Sequence, residues 1–203
     1  MACWSCRAEV PRDDLLCPAC RRLQALEPGA DHFAAMGLPR RFGLDPAALE
    51  RRYKDLSRQL HPDRFARADP RERLISLDRS TRLNDAWRTL RDERSRAEYL
   101  LRLRGIDPAG EGRAAPDPEF LEAQLEVREA LAEARARGDD ATRRRIAREG
   151  RERLAGLLAE VAALFGEAEA GGPDRAADIA RRLARARYHD SVIADAEGAA
   201  PAR

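Results

Sequence analysis

The clearest periodicity along the chain begins at Asp45. Leu49, Tyr53, Leu56 and Leu60 recur at offsets of four, three and four, which draws one apolar stripe along a helix. Asp45-Pro46 suits its start, an N-cap acid followed by proline at the first helical position. At about 100° per residue, Arg51, Lys54 and Arg58 fall on the opposite face. The helix is therefore half core and half basic surface, and it runs straight into His61-Pro62-Asp63. Proline disfavours the α conformation for the residue before it, so the helix should stop near His61. A polar loop is expected to about Pro70, then a second helical run over roughly 71–91 with Leu83, Ala86, Trp87 and Leu90 on its buried face.

Three more helical runs are predicted near 117–137, 139–167 and 174–195, broken at Gly138 and at Gly171-Gly172-Pro173. The segment from Gly105 to Pro118 is rich in proline and glycine and reads as a linker. Ile146, Leu154, Leu157, Val161 and Leu164 give the middle helix a broad apolar face, and Ile179 and Leu183 give the last a narrower one. Short connections favour an up-down antiparallel bundle. In the first of these helices Phe120, Val127 and Leu131 make the stripe that should face the bundle. Leu121 and Leu125 lie about 120° away, in the company of Glu122, Glu126, Glu129 and Glu133. They form either the edge of a wide core face or an exposed apolar strip with acidic borders, suited to a basic, apolar partner.

Composition narrows the class. The 203 residues are 36% charged and only 5% aromatic, which suits amphipathic helices with solvated outer faces and points to an all-α chain. The basic residues are 37 Arg and a single Lys, which reads as coding bias. A net charge of +2 hides an asymmetry: 18 basic and 12 acidic residues over 31–104, against 16 and 20 over 105–203. That pattern fits two partners, one for each half, better than nucleic acid. No apolar run is long enough to span a bilayer. Cys3 and Cys6 stand where a signal peptide would place its charged and apolar regions, so a soluble, cytoplasmic protein is expected.

All four cysteines lie at the front, as Cys3-Trp-Ser-Cys6 and Cys17-Pro-Ala-Cys20. Two C-x2-C pairs present four thiolates to one ion, a tetrahedral four-sulfur site for zinc, with iron left open by the ligands alone. So small a segment cannot bury a core, so the metal would supply its folding energy and act as a staple. Trp4 is the candidate anchor if the segment docks a partner. A disulfide-exchange role for Cys-Pro-Ala-Cys lacks the βαβ pattern that accompanies such chemistry. Loss of the metal is expected to unfold only about the first 20–30 residues, since the helices beyond have their own core.

Two helices joined by a loop that opens on His-Pro-Asp closely resemble a J-domain. The resemblance implies that His61, Pro62 and Asp63 trigger ATP hydrolysis in a seventy-kilodalton heat-shock chaperone, with Arg51, Lys54 and Arg58 as the docking face. "RLNDAWRTLRDERSRAEYLLRLRG" at 82–105, "FLEAQLEVREALAEA" at 120–134 and "LCPACRRLQ" at 16–24 resemble the HscB family of J-type co-chaperones of iron–sulfur cluster assembly. This similarity implies a zinc-knuckle segment over 1–28, a J-domain over 31–104, a linker over 105–118 and a C-terminal three-helix bundle over 119–197. It implies an HscA/DnaK-type chaperone and an iron–sulfur scaffold protein as partners. The scaffold would dock on Leu121, Glu122, Leu125, Glu126, Glu129 and Glu133, with Tyr188 assisting. Glu122 departs from the family, which often has an apolar residue there, so the acidic share of the contact should be larger.

Other readings remain at this point: a J-domain protein for a different client, a zinc-ribbon nucleic-acid-binding protein, or a thiol–disulfide enzyme. Arg143-Arg144-Arg145 reads as a solvated helix face. His32 and His189 have no ligand-like neighbours at a suitable spacing, and there is no phosphate-cradling glycine loop or nucleophile setting. No catalytic site is expected.

Overall fold

The computed structural model describes residues 1–11, 14–108 and 118–198. Within these residues seven α-helices follow in chain order: α1 His32–Met36, α2 Pro46–Leu60, α3 Pro70–Arg91, α4 Glu93–Leu103, α5 Pro118–Arg137, α6 Asp140–Glu169 and α7 Ala176–Glu197. Among the described residues, β structure is limited to two isolated bridges near the N-terminus. The fold is all-α. The chain forms two compact units, Met1–Arg96 and Ala97–Arg203, and the division falls within α4. Most of the linker expected over 105–118 lies outside the described residues.

In the first unit, α2 starts where its cap predicts, with the Asp45 carboxylate accepting from Ala47 N–H at 2.9 Å. Leu49, Leu56 and Leu60 are buried, while Tyr53 is half-buried and stacks on Trp87 at 4.7 Å between ring centroids. Tyr53 Oη also donates to Asn84 Oδ1 at 3.0 Å. Farther along, the Ser76 and Ser80 hydroxyls donate to the Leu60 carbonyl at 2.7 and 2.9 Å. Residue 53 faces 84–87 while 60 faces 76–80, so α2 and α3 run antiparallel. The segment between them is not an irregular loop from end to end: Pro62–Phe65 wind one 3-10 turn, and Asp69 then caps α3 by accepting from Arg71 N–H at 2.8 Å. Beside the hairpin, α1 closes at Gly37, whose φ of 62° favours glycine and whose missing Cβ leaves room for the Arg52 guanidinium. Arg52 in turn donates to the Met36 carbonyl at 3.0 Å.

In the second unit, contacts give the helix directions. Arg143 on α6 reaches the Ala196 carbonyl on α7 at 2.9 Å, Gly150 packs against Ile193, and Arg182 pairs with Glu160 at 2.6 Å. These pairings descend on one helix as they climb on the other, so α6 and α7 are antiparallel. Phe120 on α5 meets Tyr188 while Arg135 meets the Asp195 carbonyl, so α5 and α7 are parallel and the bundle runs up, down, up. Leu131, Ile146, Ala147, Val192 and Ala196 form one shared cluster of the three helices. Gly138, at φ 67°, makes the tight turn between α5 and α6, and Asp139 caps α6 through Thr142 N–H at 3.0 Å. The apolar face of α6 differs from expectation at its end. Ile146 and Val161 are buried and Leu154, Leu157 and Leu164 half-buried, whereas Phe165 is fully buried. A step of four from Val161 turns the helix only about 40° off its inward line, and a step of three about 60°, so the larger side chain takes the core position.

His189 is buried in this bundle, its ring edge-on to Phe120 at 6.1 Å. Burial, reinforced by the nearby Arg153, lowers its pKa from the ordinary 6.5. The neutral ring is the form the fold accepts, so its contribution is complete above pH 6.5. That contribution is lost as acid protonates the unfolded chain first. The thermal midpoint of the second unit should therefore hold steady above neutrality and decline below pH 6.5. A ring titration followed by NMR should place the His189 midpoint below 6.5, and a midpoint above that value would contradict the buried neutral ring.

Candidate functional site

The four cysteines are carried by two copies of one local structure. Cys3 N–H donates to the Ala8 carbonyl and Arg7 N–H to the Cys3 carbonyl, at 2.8 and 3.1 Å. Fourteen residues later, Cys17 N–H donates to the Arg22 carbonyl and Arg21 N–H to the Cys17 carbonyl, both at 2.9 Å. The bridges Ala2–Glu9 and Leu16–Leu23 close the two knuckles. Each has an arginine just after its second cysteine in the left-handed region, Arg7 at φ 67° and Arg21 at φ 60°. That conformation costs a non-glycine residue on the order of 1 kcal/mol, which something else in the knuckle must offset.

The donor set fits a metal. All four Sγ atoms lie within 4.8 Å of one another, with Cys3–Cys20 and Cys6–Cys17 at 3.6 Å. A tetrahedral ion with metal–sulfur bonds of about 2.3 Å needs sulfur–sulfur edges of roughly 3.8 Å. Cys3 and Cys17 are buried, Cys20 half-buried and Cys6 exposed. Burial raises the Cys3 thiol, but the backbone N–H groups of Cys6 and Ser5 and the neighbouring thiols outweigh it and bring it down to about 6. At Cys6 the Ala8 N–H lowers the thiol, yet hydrogen bonding to Cys20, burial and the other thiols push it up to about 12. Four sulfurs this close do not all ionise unaided, and a divalent cation removes the conflict. Ser5 N–H and the Gln24 amide each add a hydrogen bond to Cys3 Sγ at 3.4 Å, the kind of support that orients a metal-bound thiolate.

Trp4 is not the free anchor that the sequence suggested. It is half-buried, its Nε1–H donates to the Leu23 carbonyl at 2.7 Å, and the Arg71 guanidinium lies 5.1 Å from its ring centroid. The knuckles are tied to α3 by more than this. The buried Glu72 carboxylate accepts from Arg22 Nη1 at 2.7 Å and from Leu23 N–H at 2.8 Å. The buried Arg79 donates to the Gln24 carbonyl at 2.8 Å. No sequence pattern pointed to Glu72 or Arg79.

At the other end of the hairpin, His61, Pro62 and Asp63 are all exposed. Asp63 N–H donates to His61 Nδ1 at 3.3 Å, and the Asp63 carboxylate, 91% exposed, lies 3.5 Å from the same ring nitrogen. On α2, Arg51, Lys54 and Arg58 are exposed together on one face. Lys54 pairs with Glu50 at 2.7 Å and Arg58 pairs with Asp55, whereas Arg51 has no ion pair among the described residues. Arg64 and Arg67 are exposed in the following turn and extend the positive surface. Leu74 and Leu77, on the first two turns of α3, are exposed apolar residues that the helical pattern did not separate from the core.

On α5, Leu121 is 42% and Leu125 59% exposed, whereas Leu131 is buried and Phe120 and Val127 are half-buried. Tyr188 is half-buried against the edge of Phe120 at 5.5 Å, with the Arg128 guanidinium 5.7 Å from its ring centroid. By helical position, Arg128 falls on the Tyr188 side of the two leucines, while Glu122, Glu126, Glu129 and Glu133 fall on the far side. The acids therefore line one border of the strip, and an arginine and an aromatic ring line the other.

Residues 116–197 match the family model described as the HSCB C-terminal oligomerisation domain. A co-chaperone protein HscB homolog of Cupriavidus taiwanensis is 46% identical over 146 residues, which cover 70% of this chain and 82% of that protein. The chain belongs to the HscB family of co-chaperones. A homolog of Paraburkholderia phymatum is 48% identical over 105 residues, a match that spans 60% of its length. The crystal structure of human co-chaperone protein HscB superposes with a TM-score of 0.84 at 30% identity, over 97% of each chain. This is the helical J-type fold expected from the His-Pro-Asp hairpin. No helix among the described residues is long and apolar enough to cross a membrane.

Protein purified under reducing conditions should carry about one metal ion per chain, bound by four thiolates. Metal analysis finding none, or disulfide mapping that joins Cys3 to Cys6 and Cys17 to Cys20, would show that the cluster is not a metal site.

Proposed function

We propose that this co-chaperone stimulates the ATPase of an HscA/DnaK-type chaperone and brings to it the scaffold protein of iron–sulfur cluster assembly. The observation that carries the reading is the exposed His61-Pro62-Asp63 turn at the end of a helix whose outer face is basic. An exposed, conformationally restricted turn is available to a partner without disturbing the core behind it. Arg51, Lys54 and Arg58 supply the long-range attraction that orients the encounter with an acidic surface. The chain contributes binding energy and position, and the chemistry belongs to the chaperone.

The scaffold docks on the α5 strip. Leu121 and Leu125 provide the apolar centre, Glu122, Glu126, Glu129 and Glu133 select a basic border on the partner, and Tyr188 closes the opposite side. The exposure of both leucines on an otherwise amphipathic bundle helix supports this, since the buried stripe of that helix runs through Leu131 and Ala134 instead. The metal in the four-cysteine site is zinc, with iron the alternative that the ligands admit, and its role is structural. The protein works in the cytoplasm, where thiols stay reduced and available as ligands. A co-chaperone for another client is the second reading; a buried Leu121/Leu125 face would favour it, and both leucines are exposed.

Steady-state ATP hydrolysis by the partner chaperone should rise severalfold with the wild-type chain and not with His61→Gln, whose helical content should match the wild type. Full stimulation by His61→Gln would sink the trigger assignment. Charge reversal at Arg51 and Arg58 should weaken binding most at low ionic strength, where steering is strongest. Leu121→Ala/Leu125→Ala should cost on the order of 3 kcal/mol of scaffold binding, more than a hundredfold in Kd, with little change in melting temperature. Unchanged binding would place the client elsewhere, and a large drop in melting temperature would return the leucines to the core.

A further inference from the structure

The four-cysteine segment and the His-Pro-Asp turn touch the same helix at nearby positions. Glu72 and Arg79 on α3 hold the knuckles through Arg22, Leu23 and Gln24, and Ser76 and Ser80 on α3 hold the last carbonyl of α2. Residues 72, 76 and 79 follow one another at offsets of four and three, so they form a single inward row, and all three are buried. Gln24 joins the row to the metal ligands, because its carbonyl accepts from Arg79 while its amide donates to Cys3 Sγ at 3.4 Å.

We propose that Glu72, Ser76 and Arg79 are positioning residues through which metal occupancy of the four-cysteine site sets the order of the His61-Pro62-Asp63 turn. The inference rests on the reading of that turn as the chaperone trigger. Its physical basis is the cost of buried polar groups. Glu72 has its two partners, and Arg79 its acceptor, the Gln24 carbonyl, on the segment that the metal folds, and Arg79 Nε has no partner among the described residues even in the folded form. Burial lowers the Arg79 guanidinium to about 10, a sign of how little water reaches it. Among the described residues the segment's own buried cluster is Cys3, Val10 and Cys17, with Ala8 and Cys20 packed against it, too small to hold its fold without the metal. Glu72 and Arg79 must then turn outward to water, which loosens the first turns of α3 and with them the hydroxyls of Ser76, between the two, and of Ser80, just after Arg79. The Leu60 carbonyl loses its two hydroxyl donors, and the turn that follows it loses its anchor. The expectation that metal loss is confined to about the first 20–30 residues is replaced by one in which it reaches residue 80.

The test is hydrogen exchange on the full chain, metal-loaded and after chelation, with no chaperone present. Stripping the metal should speed exchange at least about tenfold at 57–60 and 70–80 as well as over 1–24, while 46–56 keeps its protection. In the metal-loaded Ser76→Ala/Ser80→Ala variant, 57–60 should already exchange fast with 1–24 still protected, and chelation should add little at 57–60. Glu72→Gln, which keeps an acceptor for Leu23 N–H, should retain more protection at 70–80 than Glu72→Ala. Acceleration confined to 1–24 overturns the proposal, as does uniform loss over all of 46–91, which would make the segment a general stabiliser. Should the serine variant fail to fold, the chelation arm decides alone. Chaperone stimulation measured on the same samples is a separate readout. Loss of order at 57–60 alongside stimulation that His61→Gln leaves intact would remove the trigger reading and leave the coupling standing.

Discussion

The first unit depends on what happens to one buried carbonyl. A helix that continued past Leu60 would satisfy the Leu60 oxygen with the N–H four residues on, but Pro62 ends the helix and no such bond forms. Leu60 is only 1% exposed, so water does not take up the role. Two serine hydroxyls from α3 do, at 2.7 and 2.9 Å. The same proline that frees the chain to turn therefore obliges the second helix to lie where Ser76 and Ser80 reach back. The antiparallel hairpin, the Tyr53–Trp87 stack and the outward placement of His61-Pro62-Asp63 are consistent with that one requirement.

α3 is consequently buried on two sides, and its polar residues are used accordingly. Toward α2 it presents hydroxyls to a helix end. Toward the cysteine knuckles it presents a carboxylate, met by the Arg22 guanidinium and the Leu23 N–H, and a guanidinium that donates to the Gln24 carbonyl. A metal segment too small for a core of its own gains a docking surface, and in return supplies the partners that Glu72 and Arg79 need to stay buried. Charged residues inside a protein are tolerated only on such terms. This mutual dependence makes the segment part of the first compact unit.

The second unit solves a different problem. With α5 parallel to α7 and α6 antiparallel to both, each helix has two neighbours and needs only a narrow inward stripe. On α5 that stripe takes in Val127, Leu131 and Ala134, and Leu121 and Leu125 are surplus to it. Their exposure is unfavourable for an isolated bundle and is what makes the face a candidate for a partner. The borders differ in sign and character, acids on one side and Arg128 with Tyr188 on the other, so a ligand would have one preferred orientation across the strip.

Much of this was legible in the sequence because it depends on residues a few positions apart. Helix starts at Asp45-Pro46, the stop at His61, the breaks at Gly138 and Gly171, and the four-sulfur donor set all follow from local backbone chemistry and short spacings. The all-α class follows from helical periodicity, and the resemblance to the HscB family from stretches read as they stand. Tertiary structure alone decided which of two adjacent residues, Leu164 or Phe165, enters the core. It also decided that Leu121 and Leu125 stay in water and that Trp4 is held within the chain. Only the folded chain reveals that Glu72 and Arg79 join the knuckles to α3, because their partners lie about fifty residues away. A spacing pattern records which face of a helix is apolar, but not what will be packed against it, and a buried charge is explained only by the group that meets it.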